Sequence, residues 1–264
     1  MVLKGGVLAI GSLFWETEKN CIDKKLSKEL AKYRRIWREN NFEKESLQID
    51  VPIRYGRKSS TRVDTYTMVF SNDIVNENYG KGKILKYLKP ANSFEEIEIQ
   101  AIEVAIAEGI FKEYNNRRII CNWGSVGLLL NPKLKEVKKG IYYHLVEKWT
   151  NLYLSYRNTI NNSKYRLGEE EPTISPNGFL NINVDLGELD YLLATPVEIN
   201  LKAYPKPGLI AHRINTSDYL SYFFENRKNG IITFNDDDII KELLKPHKIK
   251  LQSIDQSTTG RHED

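Results

Sequence analysis

The sequence predicts an α+β protein, and three observations support that class. A continuous apolar run at residues 7–10 is typical of a strand that is buried on both faces. Residues 51–55 and 65–70 are rich in β-branched and aromatic side chains, which indicates two further strands. A capped helical pattern that ends at Gly109 is the third observation, so strands and helices both occur in the first half of the chain.

The first helix is predicted over residues 23–38. Its apolar side chains recur at helical spacing, at Leu26, Leu30, Tyr33 and Trp37. The arginine-rich end of this segment is equally compatible with a strand, and both interpretations stay open.

The helix that ends at Gly109 has recognisable signals at both ends. Asn92 or Ser93 can cap its N-terminus, and Glu95 and Glu96 place negative charge in its first turn, where the helix dipole favours it. Glycine adopts the left-handed conformation that commonly follows a last helical turn, so Gly109 is the predicted stop.

The remaining elements follow from apolar patterning and turn residues. The predictions are strands at 82–89, 126–130 and 191–200, helices at 138–157, 209–225 and 236–244, and a loop or inserted hairpin at 158–177. The organisation expected from this pattern is a core at 1–132, an α/β extension at 133–250 packed on it, and a flexible polar tail at 251–264.

Length and composition exclude several classes of protein. A chain of 264 residues with 41% hydrophobic residues can bury a core without a metal or disulfides. Cys21 and Cys121 have no metal-ligand spacing, so the sequence predicts no disulfide, no metal and a reducing, cytoplasmic location. The apolar stretch at 5–15 is too short to span a bilayer, and no membrane partner is expected.

Glu108 is the first candidate for chemistry. At about 100° per residue it lies on the same helix face as Ile97 and Ala101, so its carboxylate should point toward the core. A carboxylate in such a place is harder to ionise, which suits a group that exchanges protons near neutral pH. The alternatives are a side chain that reaches water at a frayed helix end, or one that pairs with an arginine.

The turn formed by Gly11, Ser12 and Leu13 is the second candidate. It follows the buried first strand, and glycine permits close approach of a ligand to the backbone. An ordinary turn at the end of a strand has the same composition.

The third candidate is the polar segment at 54–62. It holds four cations and three hydroxyl side chains from serine or threonine without an acidic residue, a composition that favours a carboxylate or a phosphate. The alternative is a solvated hairpin turn. The residues taken as ligand-binding candidates are Arg54, Tyr55, Arg57, Ser59, Ser60 and Arg62.

The order of these motifs resembles the γ-glutamylcyclotransferase-like family. That family opens with a strand that ends in Tyr-Gly-Ser-Leu, and this chain has the similar Ile10-Gly11-Ser12-Leu13. A Glu-Gly pair follows a helix in the family, as Glu108-Gly109 does here. The resemblance covers about residues 5–130 and implies a mixed β-barrel with flanking helices, to which the α/β extension is added.

The resemblance also implies an activity. Gly11, Ser12 and Leu13 would hold the α-amino and α-carboxylate end of a γ-glutamyl group, and Glu108 would be the general acid/base. The substrate's own amine would attack its γ-carbonyl and release 5-oxoproline, without a metal or another cofactor. The implied partner is a small γ-glutamyl or similar amine- and carboxylate-bearing compound. The family's tyrosine is replaced by Ile10 in this chain.

Two other functions stay open. A non-catalytic binding module of the same fold is one, because Ile10 lacks the phenol. An anion or nucleic-acid surface is the other, because 13 lysines and arginines lie between Lys19 and Arg62, although acidic residues are interleaved with them. The sequence does not indicate an oligomeric state.

Overall fold

The chain is described by a computed structural model over residues 1–21, 25–62, 64–111, 118–156, 161–216 and 221–245. These residues form a mixed α+β structure, which confirms the predicted class. The strands are β1 (Gly5–Ala9), β2 (Leu47–Val51), β3 (Ile53–Ser59), β4 (Thr65–Phe70), β5 (Gly80–Lys86), β6 (Gly127–Leu130) and β7 (Tyr191–Ala194). The helices are α1 (Ser12–Trp15), α2 (Lys25–Asn41), α3 (Phe94–Glu108), α4 (Pro132–Val137), α5 (Lys139–Leu154), α6 (Pro207–Thr216), α7 (Ser221–Lys228) and α8 (Asp236–Leu244).

Five of the strands form one mixed sheet in the order β2-β5-β1-β7-β6. The central strand β1 is antiparallel to β5 and parallel to β7, so that Val7 lies between Leu85 and Leu193. All five residues of β1 are buried. This central position explains why the first strand is a continuous apolar run and does not alternate.

The sheet separates two hydrophobic cores. Val7 and Leu193 face a core that contains α3 and the buried side of α5. Leu8 and Leu192 face a second core that contains side chains from α6, α7 and the β3–β4 hairpin. Because successive side chains of a strand point to opposite faces, each core receives alternate residues of β1 and β7.

The β3–β4 hairpin forms a separate two-stranded sheet. Pro52 separates β2 from β3, since proline has no backbone N–H to donate to a ladder. The polar segment expected between two strands is mostly strand itself, because β3 continues to Ser59 and only a short 3-10 turn, Ser60–Arg62, follows it.

The mixed β-barrel expected from the resemblance differs from the sheets that the described residues form. Those residues contain an open five-stranded sheet with β2 and β6 at its edges, and β3 and β4 pair with each other. Two sheets that share no strand do not close into a barrel, so the coarser class is confirmed and the barrel is not.

Helix α3 follows its sequence signals. Ser93 accepts a hydrogen bond from the Glu96 backbone N–H at its start, and Gly109 has a φ of 79° at its end. The first predicted helix is also helical through its arginine-rich end, as α2, which resolves the open alternative in favour of a helix. The predicted strand at 191–200 ends at Ala194, because Pro196 interrupts the ladder.

Strand β7 belongs to the predicted extension, yet it lies between β1 and β6 of the predicted core. Both segments therefore contribute to one sheet, and the boundary at residue 132 stays a prediction. The helix predicted at 209–225 extends across α6 and α7, with 217–220 outside the described residues. The predicted tail at 251–264 also lies outside them. No helix in the described part of the chain has the length and apolar content needed to cross a bilayer.

Gly5→Ala should destabilise the fold. A Cβ atom at this position would overlap the ring of Tyr191, which is fully buried and hydrogen bonded to Gln100. Overpacking of this kind costs about 1–3 kcal/mol in the free energy of unfolding, measurable by chemical denaturation. Gly140→Ala is the control, because nothing lies within 4 Å of its Cβ position in α5, and it should stabilise by about 0.5–1 kcal/mol. Equal stability of Gly5→Ala and wild type would contradict this packing.

Candidate functional site

A cavity of about 560 Å³ lies where the end of β1, helix α2, the end of α3 and the β3–β4 hairpin meet. Its volume is within the range of small-molecule sites. Seven predicted site residues line it, namely Gly11, Ser12, Arg57, Ser59, Ser60, Arg62 and Glu108. The three candidate motifs of the sequence therefore border one cavity.

The Gly11–Ser12 turn reaches the cavity directly from the buried end of β1. A Cβ on Gly11 would lie 2.8 Å from the hydroxyl of Tyr222, so glycine is required here for space, since its φ of −175° is ordinary extended backbone. The hydroxyl of Ser12 accepts a hydrogen bond of 2.7 Å from Nη2 of Arg62. This contact joins the turn to the tip of the hairpin.

Glu108, the last residue of α3, turns inward as the helical spacing predicts. Its side chain is 19% exposed, and its Oε1 accepts a 3.0 Å hydrogen bond from the hydroxyl of Thr195. Its Oε2 lies 3.8 Å from Nη2 of Arg34. The carboxylate thus borders the cavity and also pairs with an arginine, which was one of the alternatives that the sequence left open.

Arg34 of α2 is the buried centre of the site, with only 2% of its side chain exposed. Its Nε donates to the backbone oxygen of Ala107 at 2.5 Å, and its Nη2 donates to that of Glu108 at 3.4 Å. Its Nη1 donates to the carboxylate of Glu16. A guanidinium at the last carbonyls of a helix is stabilised by the negative end of the helix dipole.

Glu16 lies between two guanidinium groups. Its carboxylate accepts from Arg34, and Nη2 of Arg62 lies 3.4 Å from its Oε2. Its side chain is 6% exposed. Arg38 donates to the backbone oxygens of Leu13 and Glu16, both at 2.7 Å, which satisfies two carbonyls around α1, and burial lowers the pKa of Arg38 to about 10.

The sequence itself indicates a buried position for Arg34, although Arg34 was counted above only as one of the basic residues between Lys19 and Arg62. Leu30, Arg34 and Trp37 have the spacing i, i+4 and i+7, so the arginine falls on the apolar stripe of the helix. A charged residue on such a stripe needs a buried partner. Nothing in the spacing identified that partner as Glu16, which directly follows α1.

Arg57 approaches the cavity from β3. Its Nη1 donates to the backbone oxygen of Glu198 at 3.1 Å and lies 3.6 Å from the carboxylate of the same residue. Its Cζ is 5.3 Å from the ring centre of Trp123. Burial lowers the pKa of the Arg57 guanidinium, and the Glu198 carboxylate acts in the opposite direction.

Three predicted site residues do not reach the cavity. Leu13 is buried in the first core. Arg54 pairs with Asp73 at 3.2 Å, outside the cavity. Tyr55 is buried in the second core, where burial raises the pKa of its phenol. A β-bulge between Tyr55 and Arg57 interrupts the alternation of β3, so the two side chains reach different surroundings.

Arg34→Met should destabilise the protein strongly. It leaves the Glu16 carboxylate buried with one of its two guanidinium partners removed, and breaking a buried ion pair from one side costs about 3–5 kcal/mol in the free energy of unfolding. Arg35→Met is the matched control, since the neighbouring Arg35 is 36% exposed and pairs with Glu18 and Glu39 at the surface. That change should cost under about 1 kcal/mol by urea denaturation. Equal costs for both variants would show that the Arg34 contacts do not stabilise the fold.

Among the described residues, no group of three or more His, Cys, Asp or Glu side chains is arranged to hold a metal ion. Comparisons with protein-family models, curated proteins and solved structures found no match to this chain. The resemblance to the γ-glutamylcyclotransferase-like family therefore rests on the motifs of the chain itself.

Proposed function

We propose that the chain is a cytoplasmic, γ-glutamylcyclotransferase-like enzyme that cyclises a γ-glutamyl amide to 5-oxoproline. The observation that carries the proposal is that Glu108 and the Gly11–Ser12 turn line the same cavity. The two open sheets are, in this proposal, a divergent form of the family's fold.

The reaction needs one group that accepts a proton and returns it. The α-amine of the substrate attacks the γ-carbonyl carbon and forms the new C–N bond of the five-membered ring. Glu108 accepts the proton that the attacking nitrogen loses. It returns that proton to the departing nitrogen as the original amide C–N bond breaks, so the products are 5-oxoproline and a free amine.

Glu108 suits this role better than Glu16, which also lines the cavity and also contacts Arg34. The side chain of Glu16 is 6% exposed and is held between Arg34 and Arg62. The side chain of Glu108 is 19% exposed, and its Oε1 accepts a hydrogen bond from a neutral hydroxyl. A base must reach the substrate, so the more exposed carboxylate is the proposed acid/base and Glu16 is a structural partner.

The polar side of the cavity offers groups that fit the charged end of a γ-glutamyl compound. Arg57 and Arg62 supply guanidinium groups, and Ser12, Ser59 and Ser60 supply hydroxyls. Guanidinium groups bind carboxylates well, because their N–H groups match the geometry of the two oxygens. Ring closure also requires a fixed substrate conformation, and contacts at both ends of the substrate would provide it.

Ile10 has no phenol, but a tyrosine from the C-terminal half places a phenol near the same turn. The hydroxyl of Tyr222 accepts a hydrogen bond from the backbone N–H of Met68 and lies close to the position of a Gly11 Cβ. Both Ile10 and Tyr222 line the cavity. This arrangement supports a site that differs from the family pattern in detail and retains a phenol beside the turn.

A non-catalytic binding module is the second candidate, favoured by Ile10 and by the pairing of Glu108 with Arg34. The nucleic-acid alternative has less support. Arg34, Arg38 and Arg62 of the basic stretch donate hydrogen bonds to carboxylates, hydroxyls or carbonyls inside the protein, which removes them from a positively charged surface.

Glu108→Gln should abolish cyclisation and leave the fold intact. Removing a general acid/base lowers turnover by about 10²–10⁴-fold, measurable as 5-oxoproline released from a panel of γ-glutamyl amides. Glu95→Gln is the control, because Glu95 is exposed in the first turn of the same helix, and its turnover should equal that of wild type.

Equal turnover of Glu108→Gln and wild type would remove Glu108 from the mechanism. Thermal stabilisation of the wild-type protein by the same amides, without any 5-oxoproline, would identify a binding module. If the amides neither stabilise the protein nor react, the proposed function is wrong.

A further inference from the structure

The lining of the cavity includes large apolar side chains that the γ-glutamyl end of a substrate does not need. Leu30, Phe111 and Trp123 all line the cavity, and each is only partly buried by the protein. Phe111 and Trp123 pack against the first core on one side. Their remaining surface faces the cavity, where burial by a ligand would be favourable.

The segments that carry Leu30, Phe111 and Trp123, here called the apolar wall, are neighbours in the structure. The side chain of Leu30 approaches Gly109, since a Cβ there would lie 3.1 Å from its Cδ2. A Cβ on Gly124 would lie 3.7 Å from Cδ1 of Ile110. The loop that carries Trp123 is therefore adjacent to the segment that carries Phe111.

The wall is held in place by backbone hydrogen bonds. The N–H of Ile110 donates to Ala105 at 2.8 Å, which fixes the turn that leads from α3 to Phe111. The backbone oxygen of Trp123 accepts from Glu198 at 2.7 Å, and the Trp123 ring lies over the Arg57 guanidinium. A site that is already ordered loses little entropy when it binds a ligand.

Glu108 lines the same cavity as the apolar wall and the polar groups. Through Arg34 it is connected to Glu16, Arg62 and Ser12, and through the chain it leads directly into Gly109 and Phe111. A substrate whose γ-carbonyl is at Glu108 can place its carboxylate on the polar groups and its leaving amine against the wall.

We propose that the leaving amine carries an apolar group, aromatic or branched aliphatic, that binds against Leu30, Phe111 and Trp123. This inference rests on the proposed function and names its substrate class, the γ-glutamyl amides of apolar amines. Trp123 and Phe111 are its specificity-determining residues.

The test uses glutaric acid monoamides, which retain the carboxylate and the amide of the substrate but lack the amine that attacks. Calorimetry with the full chain should show that the benzyl monoamide binds about tenfold or more tightly than the methyl monoamide. Trp123→Ala and Phe111→Ala should each bring that ratio toward one. Tyr143→Ala is the control and should preserve the ratio, because Tyr143 is an exposed ring of α5 outside the cavity lining.

Equal affinities for the two monoamides in wild type would overturn the inference. An unchanged ratio in Trp123→Ala and Phe111→Ala would overturn it as well. The proposed function is tested separately by turnover of γ-glutamyl methylamide and γ-glutamyl benzylamide. Cyclisation of both amides at equal efficiency would support the proposed function and contradict the preference for apolar amines. Tight binding of the benzyl monoamide without any 5-oxoproline from the γ-glutamyl amides would support the apolar wall and contradict the proposed enzyme.

Discussion

The buried guanidinium of Arg34 is the interaction on which the site depends. It contacts the carboxylate of Glu16 after the first helical turn of the chain, and it contacts the last two carbonyls of α3. Burying a charge costs free energy unless its hydrogen bonds are made. The contacts of Arg34 therefore favour the arrangement in which α2, Glu16 and the end of α3 lie together. Arg34 thus joins helix α2 both to Glu16, which directly follows α1, and to the end of α3.

Glu16 and Glu108, the two carboxylates that contact Arg34, have different surroundings. Glu16 is enclosed by Arg34 and Arg62, which fixes the hairpin tip and the Gly11–Ser12 turn relative to α2. Glu108 contacts Arg34 at a longer distance and retains more exposed surface. One carboxylate thus stabilises the arrangement, and the other is available to a ligand.

The sequence predicted those features that depend on interactions between residues close together in the chain. Ser93 and Gly109 marked the ends of α3, and helical spacing predicted the inward direction of Glu108, because these features depend on residues a few positions apart. Spacing could not identify the partners of Arg34 or Glu108, since Glu16 and Thr195 are brought to them by tertiary structure. The bulge in β3 likewise separated Tyr55 from Arg57, and the described strands form an open sheet and a separate hairpin in place of the expected barrel.

The coupling between Arg34 and Glu16 tests this central role most directly. A double-mutant cycle of Arg34→Met and Glu16→Met, followed by chemical denaturation, isolates the energy of the pair from that of each side chain. We expect the double variant to be more stable than the two single changes would give if they were additive, with a coupling of about 2 kcal/mol or more. Two apolar side chains then replace the buried pair, and Arg62, the other guanidinium beside Glu16, is 19% exposed and retains its hydrogen bond to Ser12. Additivity of the two changes within about 0.5 kcal/mol would contradict the account.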